Sequence, residues 1–440
     1  MKNYSNKASW ALSLILILLT LFFLSACDKD DDVDNSGDQT SSLTPDSDNG
    51  GLTLPTGFGG ITVSAQTGAA RHIAVNTNGD IFIKLSELKG GNGILVLKDA
   101  DNDGKADSET GFGNYTGTGI ALKDGYLYAS SDNEVFRYKF NSNNEIENAS
   151  APEKIITGLT KGSQHSSKSI ALDNQQNIYV NIGAPSNACQ VQDRTPGSPG
   201  QDPCPILETA GGIWQFKADQ LNQSQSQGIR YATGLRNVVG LDWNTSSNDL
   251  YVMQHGRDQL SFLFPDLFTD SMSAELPAEE FFRVKQGSDF GWPYCYYDQI
   301  QNKKVLAPEY GGNGQTTGRC DGVEKPILAF PGHWAPNSLL FYTGDQFPDR
   351  YKNGAFIAFH GSWNRAPLRQ GGYFVVFVPM NNGLPSGAWE MFAEGFPGIE
   401  TIAEPDQAQH RPMGLAQGPD GSLYISDSKK GKIWRIIYKG

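Results

Sequence analysis

The chain has 440 residues, of which 38% are hydrophobic, with 50 glycines and 23 prolines. A chain of this length can bury a large core, and its glycine, proline and aromatic content favours many short strands over long helices. The formal net charge of -13 argues against nucleic acid as a partner, because an acidic surface repels a polyanion.

The first 27 residues are predicted to be an export signal that is not part of the fold. Lys2 and Lys7 give a positive start, and an apolar run follows over residues 10–24 that is too short for a comfortable membrane span. The signal ends in Leu-Ser-Ala-Cys, which resembles the lipobox of bacterial lipoproteins, where the cysteine (here Cys27) is lipidated and becomes the mature N-terminus. The alternative is an ordinary signal peptide in which this cysteine is incidental.

The lipobox resemblance implies an exported protein that is anchored by lipid to the bacterial cell envelope, on the periplasmic or surface face of the outer membrane. The acidic run at 28–32 resembles the export signals of lipoproteins in some Gram-negative groups. Residues 28–55 are rich in Asp, Ser, Gly and Asn and cannot bury a core, so they are predicted to be a flexible tether. The globular domain is therefore predicted over residues 56–440.

A strand–turn–strand unit recurs six times in this domain, each time with Asn, Asp or Gly in the turn. The first apolar residues of the units are Ile73, Ile120, Ile170, Val239, Leu339 and Met413. The shortest intervals between them suit one four-stranded blade, and the longer intervals hold insertions. The sequence therefore predicts an all-β fold, a six-bladed β-propeller with long loop insertions, closed by an extra strand at 60–65. An eight-stranded barrel or sandwich is the alternative that the fixed unit disfavours.

A stretch of alternating aspartates lies between two predicted strands of the first blade. The aspartates are Asp99, Asp101, Asp103 and Asp107, which occupy positions 1, 3, 5 and 9 of a calcium loop. Gly104 stands at position 6, but Thr110 replaces the usual glutamate at position 12. The pattern predicts a structural Ca²⁺ site, with a plain Asp/Gly turn as the alternative.

Two long insertions, at 184–211 and 256–336, contain the four cysteines other than Cys27. Four cysteines allow three pairings. In an exported protein the local pairings, Cys189–Cys204 and Cys295–Cys320, are the simplest, because each closes a long loop. A zinc site is the alternative, which the lack of a C-x-x-C spacing disfavours.

A polar residue stands two places before the first apolar residue of every unit. These residues are Arg71, Thr118, Lys168, Asn237, Asn337 and Arg411. Equivalent positions of all blades meet at one mouth of a propeller, and Arg236 and His165 lie in the same edge loops. Cations at the mouth of an acidic protein predict an anionic ligand, because a guanidinium matches a carboxylate with two hydrogen bonds. The alternative is that each arginine pairs with a carboxylate of a nearby loop.

Four segments, taken as a set, resemble the glucose/sorbosone dehydrogenases. They are Gly-Leu-Arg-Asn-Val-Val-Gly-Leu-Asp-Trp (234–243), Asp-Phe-Gly-Trp-Pro (289–293), Gly-Ser-Trp-Asn-Arg (361–365) and the closing blade around Arg411. The third segment is similar to L-sorbosone dehydrogenases and to fungal pyranose dehydrogenase domains, and the resemblance covers most of residues 70–436. It implies a six-bladed propeller that binds pyrroloquinoline quinone (PQQ) with Ca²⁺ and oxidises a sugar.

The resemblance also implies roles for single residues. His165 is similar to the family's catalytic base, a neutral imidazole that takes the hydroxyl proton as hydride leaves the substrate carbon. Arg236 and Asn237 match the pair that contacts the quinone, where the arginine stabilises charge on the reduced carbonyl oxygen. Arg411 matches an arginine that binds a cofactor carboxylate, and Arg71 is assigned to the same anion from its place at the mouth.

The predicted metal ligands and three departures from the family complete this assignment. Gly291 and Pro293 match a loop whose backbone carbonyls help to hold the Ca²⁺ that bridges the cofactor. Gln164 replaces an Asp before the catalytic histidine, and Met413 replaces a second cofactor arginine. His360 stands where the family has a cofactor lysine, as in the sorbosone-like and fungal branches, and is predicted to contact the cofactor. These departures leave the sugar, and the retention of PQQ itself, open.

The function predicted from the sequence is a PQQ-dependent oxidation of an aldose or sosone by hydride transfer, with electrons passed to an external cytochrome or quinone. No G-x-G-x-x-G opens a strand–helix unit and no C-x-x-C-H occurs, which argues against a Rossmann cofactor and a covalent haem. Two other classes stay open. One is a calcium-dependent propeller hydrolase or lactonase, and the other is a non-catalytic sugar-binding propeller lipoprotein.

Overall fold

The structure is a computed structural model that describes residues 41–440. The predicted signal at 1–27, with its lipobox Cys27, lies outside the described residues, as does the first part of the predicted tether. No helix within the described part of the chain is long and apolar enough to cross a membrane.

Six β-sheets form the six blades, and the innermost strands of neighbouring blades contact one another in a closed ring. The first blade contains β2 (Ala70–Val75), β3 (Ile81–Lys89), β4 (Asn92–Lys98) and β5 (Ser108–Phe112). The second contains β6 (Ile120–Lys123), β7 (Tyr126–Ser130), β8 (Val135–Lys139), β9 (Glu153–Thr157) and the edge strand β13 (Gln223–Ser224). The third contains β10 (Ile170–Leu172), β11 (Asn177–Ile182), β12 (Gly212–Lys217), β14 (Ile229–Thr233) and the edge strand β18 (Ser288–Asp289).

The remaining three blades complete the ring. The fourth contains β15 (Val238–Asn244), β16 (Asp249–Gln254), β17 (Glu279–Val284) and β21 (Leu328–Phe330). The fifth contains β22 (Pro336–Phe341), β23 (Ala355–Phe359), β24 (Phe374–Val378) and β27 (Glu390–Ala393). The sixth contains β28 (Pro412–Gln417), β29 (Leu423–Asp427), β30 (Ile433–Tyr438) and, at its outer edge, β1 (Phe58–Ser64). The predicted six-bladed all-β propeller is confirmed.

The other elements belong to loops and insertions. Two small hairpins are β19 (Cys295–Asp298) with β20 (Lys303–Leu306), and β25 (Met380–Asn381) with β26 (Leu384–Pro385). The α-helices are α1 (Leu260–Leu263) and α2 (Asp270–Glu275). Short 3-10 turns cover Asn49–Gly51, Pro205–Glu208, Gln225–Gln227, Pro308–Tyr310, Gly318–Gly322, Asp349–Tyr351 and Pro405–Gln407.

The core lies between adjacent blades, where the alternating apolar faces of the sheets pack together. Between the fifth and sixth blades, Phe392 of β27 and Phe58 of β1 pack edge to face with ring centroids 5.2 Å apart. Each fully buried aromatic side chain stabilises the fold by about 1.5–3 kcal/mol. The sheets are therefore rigid, and the loops at their ends can hold side chains at fixed positions.

The N-terminal strand closes the ring, as predicted. It pairs antiparallel with β30, from Phe58 opposite Tyr438 to Ser64 opposite Ile433. The packed part of the chain begins before the predicted boundary at residue 56. Leu52 is only 5% exposed, and the indole N–H of Trp434 donates to the carbonyl of Gly50 at 2.9 Å. Residues 41–55 therefore pack on the last blade, because one leucine and several backbone hydrogen bonds suffice to hold a polar segment there.

Both predicted disulfides form in the insertions. Cys189 is bonded to Cys204 and Cys295 to Cys320, which confirms the local pairings and removes the zinc alternative for these four cysteines. The two loops are thereby tied down at the face of the ring where the inner strands begin.

Candidate active site

The polar residues before the inner strands meet at one mouth of the ring. Arg71 Nε donates to Thr118 Oγ1 at 3.0 Å, so the first two blades are in contact there. The side-chain amide of Asn337 lies 3.1 Å from the sulfur of Met413, across the last two blades. The short inner strands thus deliver one polar side chain each to the same opening.

One half of the mouth is cationic. Arg411 donates to the backbone carbonyls of His360 (3.1 Å) and Gly361 (2.5 Å), and Lys168 donates to the carbonyl of Ser166 at 2.6 Å. Arg71 also donates to the hydroxyl of Ser167 at 3.4 Å.

These cations, Arg71, Lys168 and Arg411, have no carboxylate in direct contact or within salt-bridge distance across residues 41–440. Burial lowers the pKa of Arg71 to about 10 and that of Lys168 to about 8. An uncompensated charge in such surroundings is costly, so this half of the mouth suits an anion.

His360 belongs to the same half. Its Nε2 lies 2.7 Å from the hydroxyl of Ser428. Burial, together with the nearby Arg411 and Arg71, holds the pKa of His360 well below its ordinary value, so the ring is neutral. A neutral imidazole can donate to or accept from a ligand without adding a charge.

The other half of the mouth is a cavity of about 140 Å³. Its lining residues are His165, Arg236, His255, Gly256, Asp258, Glu279, His333, Ala335, Ser362 and Asn364. Two lining atoms are buried polar groups without a hydrogen-bond partner, Nε of Arg236 and Oδ1 of Asn364. Such orphaned atoms are rare in native proteins and indicate a place for a bound molecule.

His165 is presented to this cavity as a proton acceptor. Its Nδ1 lies 2.6 Å from the carbonyl oxygen of Ala184, which can only accept, so Nδ1 carries the hydrogen and Nε2 carries the lone pair. Burial and the charge of Arg236 lower the pKa of His165 to about 3, which keeps the ring neutral. The backbone of His165 is left-handed (φ 52°), a conformation that is often retained where function requires it.

The guanidinium of Arg236 is held in place by the buried carboxylate of Asp258. Its Nη2 donates to Asp258 Oδ2 at 2.6 Å, and its Nη1 donates to the carbonyl of Gly256 at 2.8 Å. Asp258 also accepts from Arg194 (2.8 Å) and Asn364 (2.9 Å). Although burial alone would raise it, the pKa of Asp258 is well below its usual range because of the charges of Arg236 and Arg194.

Asn237 lies close to His165, the predicted catalytic base. Its Oδ1 accepts from the side-chain amide of Asn181 at 3.2 Å. A Cβ at Gly183 would lie 2.7 Å from both Asn237 Oδ1 and His165 Cβ. Glycine at this position therefore allows the third and fourth blades to bring His165 and Asn237 together.

Gly291 and Pro293, the two residues predicted to bind the calcium ion of the cofactor, lie in the loop that follows β18. The carbonyl of Gly291 accepts the backbone N–H of Cys295 at 2.9 Å. Pro293 lines a separate water-sized space of about 10 Å³ together with Arg236. Neither residue lines the cavity that contains His165, and their role as metal ligands stays a prediction.

Three of the four loop aspartates come together between β4 and β5. Ligand oxygens of Asp99, Asp101 and Asp107 lie within 4.8 Å of one another. Asp103 is outside this group and accepts the backbone N–H of Lys105 at 2.8 Å. The structural calcium site at this loop stays a prediction.

Four titratable residues of the cavity were not predicted from the sequence. They are His255, Asp258, Glu279 and His333. His255 follows β16 directly, just as His360 follows β23. Because both histidines directly follow the second strand of a blade, the position of His255 could have been predicted from the repeat. Asp258, Glu279 and His333 carry no such signal, because they are distant from the repeated unit in sequence and meet only through the folded insertion.

Most of the chain matches one known protein family. Residues 52–439 match the family model described as TrAA12-like. The chain belongs to this family. This TrAA12-like protein is 27% identical to an uncharacterized protein of Borreliella burgdorferi over 73% of its own length and 75% of that protein. It is 22% identical to the pyrroloquinoline quinone-dependent sugar dehydrogenase of Hypocrea jecorina, over 84% of its own length and 86% of the enzyme.

A solved structure shows the same fold. The TrAA12-like protein superposes on the calcium structure of the Trichoderma reesei carbohydrate-active enzyme of family AA12 with a TM-score of 0.72 and 19% identity. The match covers 91% of this chain and 99% of that one. The six-bladed architecture is therefore shared, while the chemistry of the mouth must be argued from this chain's own residues.

Proposed function

We propose that this protein is a PQQ-dependent sugar dehydrogenase that oxidises an aldose or sosone and passes the electrons to an external acceptor. One observation carries the proposal: the mouth holds three cations without carboxylate partners, next to a neutral histidine that faces a cavity. An acidic protein would otherwise neutralise such cations with its own carboxylates. The named activity of the Hypocrea jecorina relative supports the same conclusion.

The residues of the mouth fit PQQ, which carries three carboxylates. Arg71, Lys168 and Arg411 would hold those carboxylates by charge-assisted hydrogen bonds. Arg236 and Asn237, with His360, would border the quinone. When bound, PQQ accepts hydride from the substrate carbon, and Ca²⁺ raises the electrophilicity of the quinone.

The protein itself supplies binding, orientation and a proton acceptor. His165 takes the proton of the substrate hydroxyl at Nε2, while its Nδ1–H stays bonded to the carbonyl of Ala184. Asp258 positions Arg236, so that the guanidinium needs no reorganisation during the reaction. Removal of the hydroxyl proton and departure of hydride from the same carbinol thus occur in one prearranged site.

The geometry disfavours the two rival functions to different degrees. A metal-dependent hydrolase or lactonase needs carboxylates that are free to bind a central ion, whereas Asp258 is occupied by Arg236, Arg194 and Asn364. A sugar-binding propeller without a cofactor would gain nothing from unpaired cations. Cofactor binding separates this last class from a dehydrogenase.

The test is reconstitution of the purified full chain with PQQ and CaCl₂, followed by dye-linked assays on a panel of aldoses. We expect a change in the PQQ absorption spectrum and dye reduction with at least one sugar. His165→Ala should lower turnover by about 100-fold or more and leave the spectral change intact, because only the proton acceptor is lost. Lys161→Ala, an exposed neighbour, serves as the control. No spectral change and no dye reduction would reject the proposal.

We also propose that the protein is exported and attached to the cell envelope by a lipid on Cys27. The proposal rests on the apolar run that ends in the lipobox. It would place the dehydrogenase where sugars arrive and where membrane-bound electron acceptors are available.

A further inference from the structure

The cavity that contains His165 has a second carboxyl group, that of Glu279, with a different environment from Asp258. Glu279 is the first residue of β17 and is 2% exposed. Its Oε2 accepts the backbone N–H of Gly256 and its Oε1 accepts that of Ala335, both at 3.0 Å. Within residues 41–440, no lysine or arginine nitrogen lies at salt-bridge distance from it.

Among the groups that face Glu279, two backbone N–H groups and the charge of Arg236 favour its ionised form. The titratable groups around the cavity are His165, Arg236, His255, Asp258 and His333. Burial keeps the three histidines neutral. Arg236 is the one cation among these groups, and it is already bonded to the carboxylate of Asp258.

Glu279 is therefore a carboxylic acid at neutral pH. Burial raises its pKa to about 8, and the charge of Asp258 adds to this shift against the two backbone N–H bonds and Arg236. Two carboxyl groups of one cavity thus differ in protonation, as expected when an acid and a base must act side by side.

The hydrogen-bond inventory shows what this acid can do. A protonated carboxyl has one O–H donor and spare acceptor capacity. Each oxygen of Glu279 already accepts one backbone N–H, so the O–H is the group left to bond a ligand. The same cavity offers acceptors, the Nε2 lone pair of His165 and the orphaned Oδ1 of Asn364.

We propose that Glu279 is a specificity-determining residue that donates its carboxylic O–H to a substrate hydroxyl, while His165 accepts the proton of the hydroxyl that is oxidised. This inference rests on the proposed function, since it requires a sugar in the cavity. A donor beside an acceptor selects substrates with a second oxygen close to the reacting carbinol. The substrate class is then a polyhydroxylated sugar, and a simple alcohol would bind poorly.

A purely structural role is the competing explanation, because Glu279 also joins the segments at Gly256 and Ala335. The two roles differ in their dependence on pH. The pKa of Glu279 in the folded protein lies above the ordinary value of 4.5, so the donor is present below about pH 8 and is lost above it. A structural clamp made by the carboxyl oxygens would not lose its acceptors when the proton leaves.

The experiment compares wild type, Glu279→Gln and Glu279→Ala in the PQQ- and Ca²⁺-loaded enzyme, with KM and kcat measured from about pH 6 to pH 9. We expect the KM of wild type to rise about three- to tenfold above pH 8, as for the loss of one hydrogen bond. The amide of Glu279→Gln keeps an N–H donor at every pH, so its KM should stay flat. Glu279→Ala should show the raised KM throughout.

A second measurement needs neither cofactor nor activity. In the infrared difference spectrum of wild type minus Glu279→Gln, the cofactor-free protein should show a carboxylic-acid C=O band at neutral pH that disappears above about pH 8. The subtraction removes the contribution of Asp242 and Glu280, whose pKa values burial also raises. If Glu279→Ala fails to fold, this band and the Glu279→Gln profile still decide the question.

The outcomes separate this inference from the proposed function. A working dehydrogenase that lacks the acid band, or whose KM profile is the same in wild type and Glu279→Gln, would overturn the role of Glu279 alone. A wild type that shows the acid band but neither binds PQQ nor oxidises a sugar would overturn the proposed function, and with it the substrate role of Glu279.

Discussion

Arg71 and Arg411 show how a protein can hold charge for a ligand. Both side chains are oriented by neutral oxygens, the Thr118 hydroxyl for one and the carbonyls of His360 and Gly361 for the other. Burial and the charge of Arg411 lower the pKa of Arg71, which means that the charged form costs more free energy in the folded protein than in water. The binding of an anion would remove that cost.

Removal of one of these charges should separate affinity from stability. For Arg71→Gln and Arg411→Gln we expect PQQ to bind about 10- to 100-fold more weakly, since one charge-assisted hydrogen bond is lost. The thermal midpoint of the cofactor-free protein should not fall, because an uncompensated buried cation is removed. Titration of PQQ and a melting curve measure the two effects.

Arg350→Gln is the matched control, since Arg350 is 53% exposed and pairs with Glu390 at the surface. Its affinity for PQQ should equal that of wild type. Unchanged PQQ affinity in both mouth variants would show that these arginines do not bind the cofactor.

At the scale of elements, the disulfide-closed insertion at 184–211 supports the active site from outside. Asn187 accepts the backbone N–H of Asp258 at 2.8 Å and donates to its carbonyl at 3.0 Å. The indole of Trp292 donates to the carbonyl of Asn187 at 2.9 Å. The insertion thereby fixes Asp258, which fixes Arg236. Long loops of this kind are commonly functional.

The β4–β5 loop offers a test of calcium binding that is independent of the mouth. We expect Ca²⁺ to raise the thermal midpoint of the cofactor-free protein, corresponding to about 2.7 kcal/mol when Ca²⁺ is at 100 times its Kd. Asp101→Asn should abolish this gain, because the amide can still accept the N–H of Asp103 but the ligand charge is lost.

The control for this loop is Glu109→Gln, an acid just beyond it that pairs with Lys89. The Ca²⁺-dependent rise in this control should match that of wild type. A rise that persists in Asp101→Asn would place the ion elsewhere, and no rise in wild type would leave the loop as a plain turn.

At the scale of the whole molecule, the N-terminal part of the chain closes the ring, and we propose that it also carries the membrane anchor. β1 completes the last blade, and residues 41–55 pack beside it. Under the proposal of a lipid on Cys27, the propeller would remain attached to the cell envelope.

Expression in a bacterium that processes lipoproteins tests this attachment. Wild type should be labelled by a radioactive fatty acid and should partition into the detergent phase of Triton X-114. Cys27→Ser should lose both properties because the acceptor sulfur is gone, and Ser36→Ala in the predicted tether should keep them. Labelling or detergent partitioning of Cys27→Ser at the level of wild type would refute the anchor.

The sequence by itself determined the blade count, the closing strand, both disulfides and the polar ring at the mouth. These features follow from a repeated local pattern, in which a turn and an alternating strand place equivalent residues at equivalent heights. Arg71, Asn237 and Arg411 could be found in this way.

Only the tertiary structure decided which carboxyl groups join His165. Asp258 lies in the loop after β16 and Glu279 begins β17, both outside the repeated strand–turn–strand unit, and the ion pair of Asp258 with Arg236 leaves Glu279 without a cation. The opposite protonation of these two carboxyl groups depends on burial and on neighbours that are distant in sequence. The packing of residues 41–55 likewise depends on contacts with the last blade, at the other end of the chain. Such properties arise when the ring closes and water is excluded, and no local pattern of residues encodes them.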